Sequence, residues 1–295
     1  MIEGQEGVEW EHWLALAAAC ERSGLEGLFR SDHYLSGFGH NERGTLDAWA
    51  TLAALAARTE RIRLGTLVSP VTFRHPSVLA KNAITVDHVS GGRVEVGLGA
   101  GWNENEHEAF GFDFPDLRTR MDMLAEQLEV VTRQWAEVRP KPIQQPRPPV
   151  ILGGGAGPRS LDLAVRFADE YNTNFVSPEE CARRRRLVDE ACERGRRDPR
   201  SIRFSLMTAC MVGTDRAETL ERVRARLRVT GRDDDPEGYL RDRADHQVIG
   251  TVEEVVAKLR AYEEAGVERV MLQHLDHEDV AMVELLGTEV APALA

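Results

Sequence analysis

Short apolar runs alternate with longer amphipathic segments along most of the chain. The first clear pair is a helical pattern over residues 9–23, which ends at Gly24, and an apolar run over residues 25–30. A glycine directly after the last periodic residue is a common end of a helix. Alternation of this kind is typical of parallel strands that are covered by helices.

The alternation predicts eight strands and nine helices. The predicted strands cover residues 1–4, 25–30, 62–68, 93–98, 150–152, 170–175, 202–207 and 268–273. The predicted helices cover residues 9–23, 45–58, 76–89, 117–135, 158–167, 178–194, 217–228, 252–264 and 279–290. Eight βα units within about 250–300 residues predict an α/β fold of the (β/α)8 TIM-barrel type, with a short first strand.

A doubly wound sheet is the alternative to the barrel. Its glycine-rich turn usually follows the first strand, whereas the glycine runs of this chain follow the fourth and fifth predicted strands. Residues 140–149 contain five prolines and resemble an interdomain linker. The βα pattern resumes directly after them, so we interpret this segment as a loop within a single domain that spans residues 1–295.

Composition and charge exclude several classes of protein. Hydrophobic residues make up 42% of the 295 residues, enough for a large core, and the net charge of −12 disfavours nucleic acid as a partner. The longest apolar stretch, residues 14–20, is too short to span a bilayer, and no basic segment of a signal peptide begins the chain. We therefore expect a cytoplasmic protein that does not bind membranes.

The ends of the predicted strands carry the candidate chemistry, because barrel enzymes bind their substrates there. Asp32 and His33 follow the second strand, and a histidine at this position could exchange protons near neutral pH or simply cap a helix. Ser69 and Pro70 end the third strand. Arg74 and His75 follow them. These two side chains could bind an anion or lie in a solvated loop, and we favour the solvated loop.

The fourth strand ends in a run of small residues, Gly99, Ala100 and Gly101, that would let a flat ring approach the backbone. An acidic segment follows directly, with His107 among three glutamates over residues 104–108. Histidine and carboxylates could bind a metal ion, but their spacing matches no recognised ligand motif. We therefore expect a solvated acidic turn and no metal.

The fifth strand leads into the strongest local signal, the sequence GGGAGPRS. Its residues are Gly153, Gly154, Gly155, Ala156, Gly157, Pro158, Arg159 and Ser160. Glycine backbone N–H groups, a helix N-terminus and an arginine together favour an anion. The lysine of a P-loop and the acidic residue of a dinucleotide site are both missing, so the turn predicts a phosphate site.

The remaining polar candidates are few. Gln273 and His274 at the end of the eighth strand could line a pocket or belong to a loop, and Cys210 has no evident base partner. The sequence contains neither a nucleophile elbow nor an HExxH motif. These side chains are too few for redox chemistry, so a cofactor must supply the reactivity.

Together these motifs resemble the luciferase-like monooxygenase family, and within it the oxidoreductases that depend on the deazaflavin coenzyme F420. The resemblance runs in order along nearly the whole chain. The matching stretches are residues 28–33, 65–76, 91–102, 150–161, 248–251 and 265–270. It implies a barrel with additional loop segments at the mouth, a cofactor ring in the top of the barrel and a small-molecule substrate.

The resemblance also assigns roles to individual residues. It places His33, preceded by Asp32, beside the reactive carbon of the ring, and it implies a cis peptide bond at Leu67–Val68, next to Ser69. The phosphate would bind at residues 153–157. Trp102 stands where sugar-phosphate dehydrogenase relatives carry a glutamate, which argues against glucose 6-phosphate as the substrate.

Three functions remain open on this evidence. The first is an F420-dependent oxidoreductase, and the second is a monooxygenase that uses reduced FMN and oxygen. The third is a non-catalytic flavin-binding protein, which the short first strand suggests. Family analogy also predicts a homodimer.

Overall fold

Parallel strands form the centre of the molecule, and helices cover them on the outside. The computed structural model describes residues 1–40 and 42–294. Its strands are β1 Gly27–Arg30, β2 Arg63–Thr66, β3 Ser69–Pro70, β4 Val94–Gly99, β5 Val150–Gly153, β6 Glu170–Asn174, β7 Arg203–Gly213, β8 Val248–Thr251 and β9 Arg269–Gln273.

The strands close into a ring. Hydrogen bonds connect β1, β2, β4, β5, β6 and β7 in that order, and β9 pairs with the other edge of β7. Ile2 closes the ring, because it forms parallel bridges to Arg30 at the end of β1 and to His274 just after β9. The predicted TIM barrel is confirmed, and each of the eight predicted strands supplies one of its staves.

The helices lie outside the ring, and most of them begin at a residue whose side chain caps the helix. The α-helices are α1 Trp10–Ser23, α2 Ala48–Ala56, α3 Pro76–Ser90, α4 Glu104–Phe110, α5 Leu117–Glu137, α6 Pro158–Phe167, α7 Pro178–Arg194, α8 Arg216–Val229, α9 Pro236–Arg243, α10 Val252–Glu264, α11 Val280–Leu285 and α12 Ala291–Leu294. A π-helical turn, Leu286–Val290, joins the last two. No helix within the described residues is long and apolar enough to cross a membrane.

Helices α4, α9 and α12 and strands β3 and β8 were not predicted, and strand β7 is longer than predicted. Helices α4 and α9 lie in loops near the barrel mouth, where the sequence predicted none. Strand β7 continues beyond the predicted residue 207 to Gly213, and its second half pairs outside the ring with β8. Strand β8 has only four residues, and the capping box of Thr251 and Glu254 at the start of α10 follows at once. The sequence therefore shows no clear strand pattern at β8.

A buried ion network closes the bottom of the barrel. Arg269 contacts the carboxylates of Glu95 at 2.7 Å and Glu170 at 2.9 Å, and it also pairs with Glu26. Burial alone would raise the pKa of Glu95, but Arg269 outweighs this and holds that pKa below its ordinary value. The network fixes strands β4, β6 and β9 to each other.

The first stave is very short, as the sequence indicates. The Met1 ammonium group donates to the carbonyl of Leu272 at 2.9 Å, in the position of a strand N–H. Burial lowers the pKa of this ammonium group. Below Met1, the facing edges of β1 and β9 border a groove of about 750 Å³ that is lined by apolar side chains such as Leu28, Leu259 and Val290.

Candidate functional site

A cavity of about 550 Å³ opens at the carboxyl ends of the strands, at the end of the barrel opposite the Arg269 network. Small and apolar residues at or just after the ends of β2, β4 and β5 line one side, which we name the glycine wall: Val68, Gly99, Ala100 and Gly153. Polar side chains line the other side, which we name the polar wall: Glu3, Gln5, Arg226 and Gln273. The cavity therefore offers two faces of different chemistry.

The glycine wall is built around Val68. The peptide bond Leu67–Val68 is cis, as the family resemblance implies. A Cβ atom at Gly99 would lie 2.7 Å from the Val68 side chain, and one at Gly153 would lie 3.7 Å from it. Gly101 has a φ of +78°, which favours glycine. The small residues therefore keep this face flat and close to the backbone.

His33 projects into the cavity from the loop after β1 and is held from behind by Glu106. Its Nδ1 lies 2.7 Å from the Glu106 carboxylate, which is fully buried. The same carboxylate accepts hydrogen bonds from the backbone N–H groups of Tyr34 and Leu35. Burial alone would lower the pKa of His33, but the hydrogen bond and charge of Glu106 outweigh it and raise that pKa.

Helix α4 supplies this carboxylate, so the expectation of a solvated acidic turn is wrong for Glu106 and His107. Both side chains are buried, and His107 contacts Thr72 and the carbonyl of Asn103. Aromatic rings that include Phe73 pack against the helix and exclude water from it. The sequence offered only the short segment 104–110 as a signal, which is too brief for a clear helical period.

Asp32 is buried behind the cavity and does not line it. Its carboxylate accepts a hydrogen bond from Ser69 at 2.5 Å and pairs with Arg74 at 2.6 Å. Arg74 also pairs with Asp47, so the expectation of a solvated loop is wrong for this residue. Burial alone would lower the pKa of Arg74, but the two carboxylates raise it. This network holds the His33 loop against the end of β2.

The glycine-rich turn joins β5 to the N-terminus of α6. The N–H of Gly154 donates to the Asn172 carbonyl, and the N–H of Ala156 donates to the hydroxyl of Tyr171. Within residues 1–40 and 42–294, the N–H groups of Gly155 and Gly157 meet no acceptor. Of the turn, Gly153, Gly154 and Gly155 line the cavity, whereas Ala156 and Gly157 lie beside it.

The predicted arginine of this turn points away from it. Arg159 pairs with Asp122 and donates to the Arg118 carbonyl, and its side chain is about half exposed. Arg184 on α7 is the arginine beside the turn, because its Nη1 would lie 3.9 Å from a Cβ at Gly155. It is held in place by Glu180 at 2.7 Å. The assignment of phosphate binding to Arg159 stays a prediction.

The structure thus brings most of the predicted site residues to one cavity. Those that line it are His33, Leu67, Val68, Gly99, Ala100, Gly101, Gly153, Gly154 and Gly155. Those that do not are Asp32, Ser69, Ala156, Gly157 and Arg159. Trp102 also lines the cavity, and its ring meets that of His33 edge-on with centroids 5.5 Å apart.

Several residues of the site were not predicted, among them Glu106, Arg184 and Arg226, together with Glu3 and Gln5 of the polar wall. The sequence signals for Glu106 and the two arginines are weak, because Glu106 lies in a short acidic segment and the arginines lie in arginine-rich helices. Gln273, one of the open candidates, lines the cavity, whereas His274 is bonded to the Asp279 carbonyl and lies outside it.

The residues present fit a flat ring that carries a phosphate. Gly99 and Gly153 carry no side chain of their own, and Val68 packs over them, so a ring would lie against Val68 and the small residues around it. The N–H groups of Gly155 and Gly157, which have no acceptor among the described residues, and the N-terminus of α6 suit a phosphate. His33 lines the same cavity, with its Nδ1 held by Glu106.

Comparison with known proteins gives a consistent result. The family model of luciferase-like monooxygenases matches residues 2–269. An uncharacterised protein of Mycobacterium tuberculosis is 37% identical over 145 residues. This match covers 44% of this chain and 50% of that relative, so the chain spans about half of the relative's length. An F420-dependent glucose-6-phosphate dehydrogenase of Microbacterium testaceum is 26% identical, with 95% of this chain and 92% of that protein covered.

Solved structures share the fold over nearly the full length. An F420-dependent secondary alcohol dehydrogenase in complex with an F420–acetone adduct has a TM-score of 0.80 at 21% identity, covering 98% of this chain and 96% of that one. The oxygenating constituent of 3,6-diketocamphane monooxygenase from Pseudomonas putida, in complex with FMN, has a TM-score of 0.76 at 18% identity, covering 97% and 93%. Proteins with either cofactor therefore share this architecture.

Proposed function

Because the chain belongs to the luciferase-like monooxygenase family, we propose that it is an oxidoreductase that uses coenzyme F420 and a small organic substrate. The observation that carries the proposal is the cavity itself, in which His33, backed by Glu106, stands between the glycine wall and the polar wall. When bound, the deazaflavin would accept or supply a hydride at its ring carbon.

The glycine wall would hold the ring, and the turn at residues 153–157 would hold the phosphate. Gly155 and Gly157 contribute free N–H groups, and Arg184 adds a positive charge beside Gly155. A phosphate is bound well by this combination because each contact is a hydrogen bond or a charge that needs no rearrangement.

His33 would exchange a proton with the substrate through Nε2. Its Nδ1 is occupied by Glu106, so the proton that reaches the cavity is carried by the other ring nitrogen. Glu106 favours the protonated ring, which suits a proton donor to a substrate oxygen. Asp32 does not reach the cavity, so we assign it a positioning role: with Arg74 and Ser69 it holds the loop that carries His33.

An FMN-dependent monooxygenase is the second candidate. The phosphate turn serves FMN equally well, and relatives that depend on FMN are among the similar proteins, including a dimethylsulfone monooxygenase of Pseudomonas putida that is 26% identical over 60% of this chain. We further propose that the protein forms a homodimer of single-domain subunits in the cytoplasm, which rests on family analogy.

The two candidates differ in their response to oxygen, because a deazaflavin reacts poorly with it. The test is to supply the stripped protein with F420 or with reduced FMN and to screen small alcohols, aldehydes and hydroxy acids. We expect F420 reduction without oxygen, and a loss of at least about 100-fold in the His33→Ala variant. Turnover only with reduced FMN and oxygen would select the alternative, and no turnover with either would favour a non-catalytic flavin-binding protein.

A further inference from the structure

The polar wall contains a buried arginine without a carboxylate partner. Arg226 on α8 lines the cavity and is only 8% exposed. Its Nε donates to the Tyr239 hydroxyl at 3.1 Å and its Nη2 donates to the Gln273 side-chain oxygen at 3.2 Å. Both acceptors are neutral, and in the described part of the chain no carboxylate forms an ion pair with Arg226.

An unpaired buried charge is costly, so such groups are normally paired. The only carboxylate on the polar wall, Glu3, is engaged elsewhere, because its two oxygens accept hydrogen bonds from Gln273 at 2.7 Å and from Gln5 at 2.9 Å. Arg222 on the same helix is paired with Glu218 and Asp279. The guanidinium group of Arg226 is therefore the charged group of this region that is available to bind a ligand.

The Nη1 group of Arg226 has no partner within residues 1–40 and 42–294. The Tyr239 contact is itself fixed, since the Tyr239 hydroxyl donates to Gln247 at 3.3 Å. The guanidinium group is thus held from two sides, with one of its nitrogens left over. A preorganised arginine with free N–H groups recognises carboxylate and phosphate oxygens with directional, charge-assisted hydrogen bonds.

The position of Arg226 separates it from the proposed cofactor site. The glycine wall lies at or just after the ends of β2, β4 and β5, and the phosphate turn follows β5, whereas Arg226 packs beside β7 and β9 on the opposite side of the ring. A ring that covers the glycine wall leaves the polar wall to the substrate.

We propose that the substrate is a small organic acid and that Arg226 binds its carboxylate. This inference rests on the proposed function for the location of the cofactor. Gln273 fixes the guanidinium, so the acid group is anchored at the polar wall while the remainder of the molecule extends toward His33. Arg226 is then the residue that selects anionic over neutral substrates.

The experiment compares benzoate with benzamide, a neutral molecule of nearly the same shape. Ligand-observed NMR gives the two dissociation constants for the wild-type protein, with and without bound F420 or FMN. We expect benzoate to bind at least about ten-fold more tightly than benzamide, and the Arg226→Met variant to reduce this ratio to near one. Arg226→Lys, which keeps the charge, should retain part of the preference.

Arg224→Met is the matched control, because Arg224 lies on the same helix, is exposed and pairs with Glu221. It should leave the benzoate preference unchanged. The proposal is overturned if the wild-type protein shows no preference, or if the preference survives in a folded Arg226→Met variant. It is also overturned if that variant loses at least about ten-fold in cofactor affinity while the preference persists, since Arg226 would then serve the cofactor.

The measurement on the cofactor-free protein separates this inference from the proposed function. A benzoate preference that depends on Arg226, in a protein that binds neither F420 nor FMN, would support the anion site and reject the function. Cofactor binding without a benzoate preference would support the proposed function and reject the anion site.

Discussion

At the residue scale, the charge of His33 depends on Glu106. The carboxylate is buried, contacts Nδ1 at 2.7 Å and raises the pKa of the imidazole against the effect of burial. Because the pKa is raised in the folded protein, the stabilisation from this pair is complete at acidic pH and is lost as the pH rises through the folded-state pKa.

The Glu106→Gln variant tests this dependence. An amide can still accept from the backbone of Tyr34, but it supplies no charge, so burial should dominate and the pKa of His33 should fall below its ordinary value of about 6.5. An NMR titration of the His33 ring measures it. Glu108→Gln, an exposed change on the same helix, should leave the pKa where it is. If the pKa of His33 is the same in Glu106→Gln and in the wild type, Glu106 does not control the charge of His33.

A charged side chain introduced at Gly155 tests whether the turn binds the phosphate. A Cβ there meets nothing closer than Arg184 at 3.9 Å, so the position accepts a side chain. Gly155→Asp places a negative charge at the proposed phosphate and should weaken F420 or FMN binding at least about ten-fold more than Gly155→Asn, which has the same shape. Equal affinities of the two variants in a fluorescence titration would place the phosphate elsewhere.

The sequence pointed to those residues of the cavity that glycine-rich runs mark, and their roles stay a prediction. The glycines at 99, 101 and 153–155 are visible in the sequence because they form two glycine-rich runs at strand ends. Glu106 and Arg226 could not be found in this way, because their burial depends on how α4 and α8 pack. In α8 the pattern does not say which of several arginines faces inward.

At the element scale, the short first stave leaves two strand edges facing each other. The Met1 ammonium group occupies a strand N–H position, and the apolar groove below it lies between β1 and β9. A segment that entered this groove would gain backbone hydrogen bonds on both sides and would replace a buried charge with a peptide.

An added strand tests the groove. Ile-Val-Ala-Val inserted between a start methionine and Met1 should raise Tm by about 2 °C or more, whereas Ser-Gly-Ser-Gly at the same place should not. Differential scanning calorimetry measures both. If the two insertions give the same Tm, the groove does not accept a strand.

The pattern and length of the elements explain why the sequence predicted the barrel but missed helices α4 and α9. Strand β5 is a short apolar run and β4 alternates Val94, Val96 and Leu98 with Glu95 and glycine, and both patterns are plain in the sequence. Helices α4 and α9, with seven and eight residues, are too short to show a period.

At the scale of the whole molecule, the Arg269 network joins elements that are distant in the sequence. Removing its cation leaves the buried Glu95 with Arg63 and the buried Glu170 with the more distant Arg203, at 3.8 Å, so both carboxylates lose the charge that joins them. We expect Arg269→Met to lower the free energy of unfolding by about 3–5 kcal/mol in urea denaturation. Arg194→Met, which removes an exposed pair with Glu190, should change it by less than about 1 kcal/mol.

Glu95 sets an acid limit, whereas burial raises the pKa of Glu170 in the same network. The pKa of Glu95 is lowered in the folded protein, so its stabilisation is complete above the unfolded-state pKa of about 4.3 and is lost as the pH falls through the folded-state value. If Arg269→Met costs no more than Arg194→Met at pH 7, the network does not hold the barrel together.

The central claim is that the barrel mouth binds a ring that carries a phosphate. The most direct measurement is a titration of the stripped protein with F420, FMN and riboflavin, followed by the quenching of Trp102 fluorescence and checked with Trp102→Phe. The account predicts micromolar binding of F420 or FMN, and binding of riboflavin at least about ten-fold weaker, because it lacks the phosphate that the glycine turn holds. Micromolar binding of neither F420 nor FMN would contradict it.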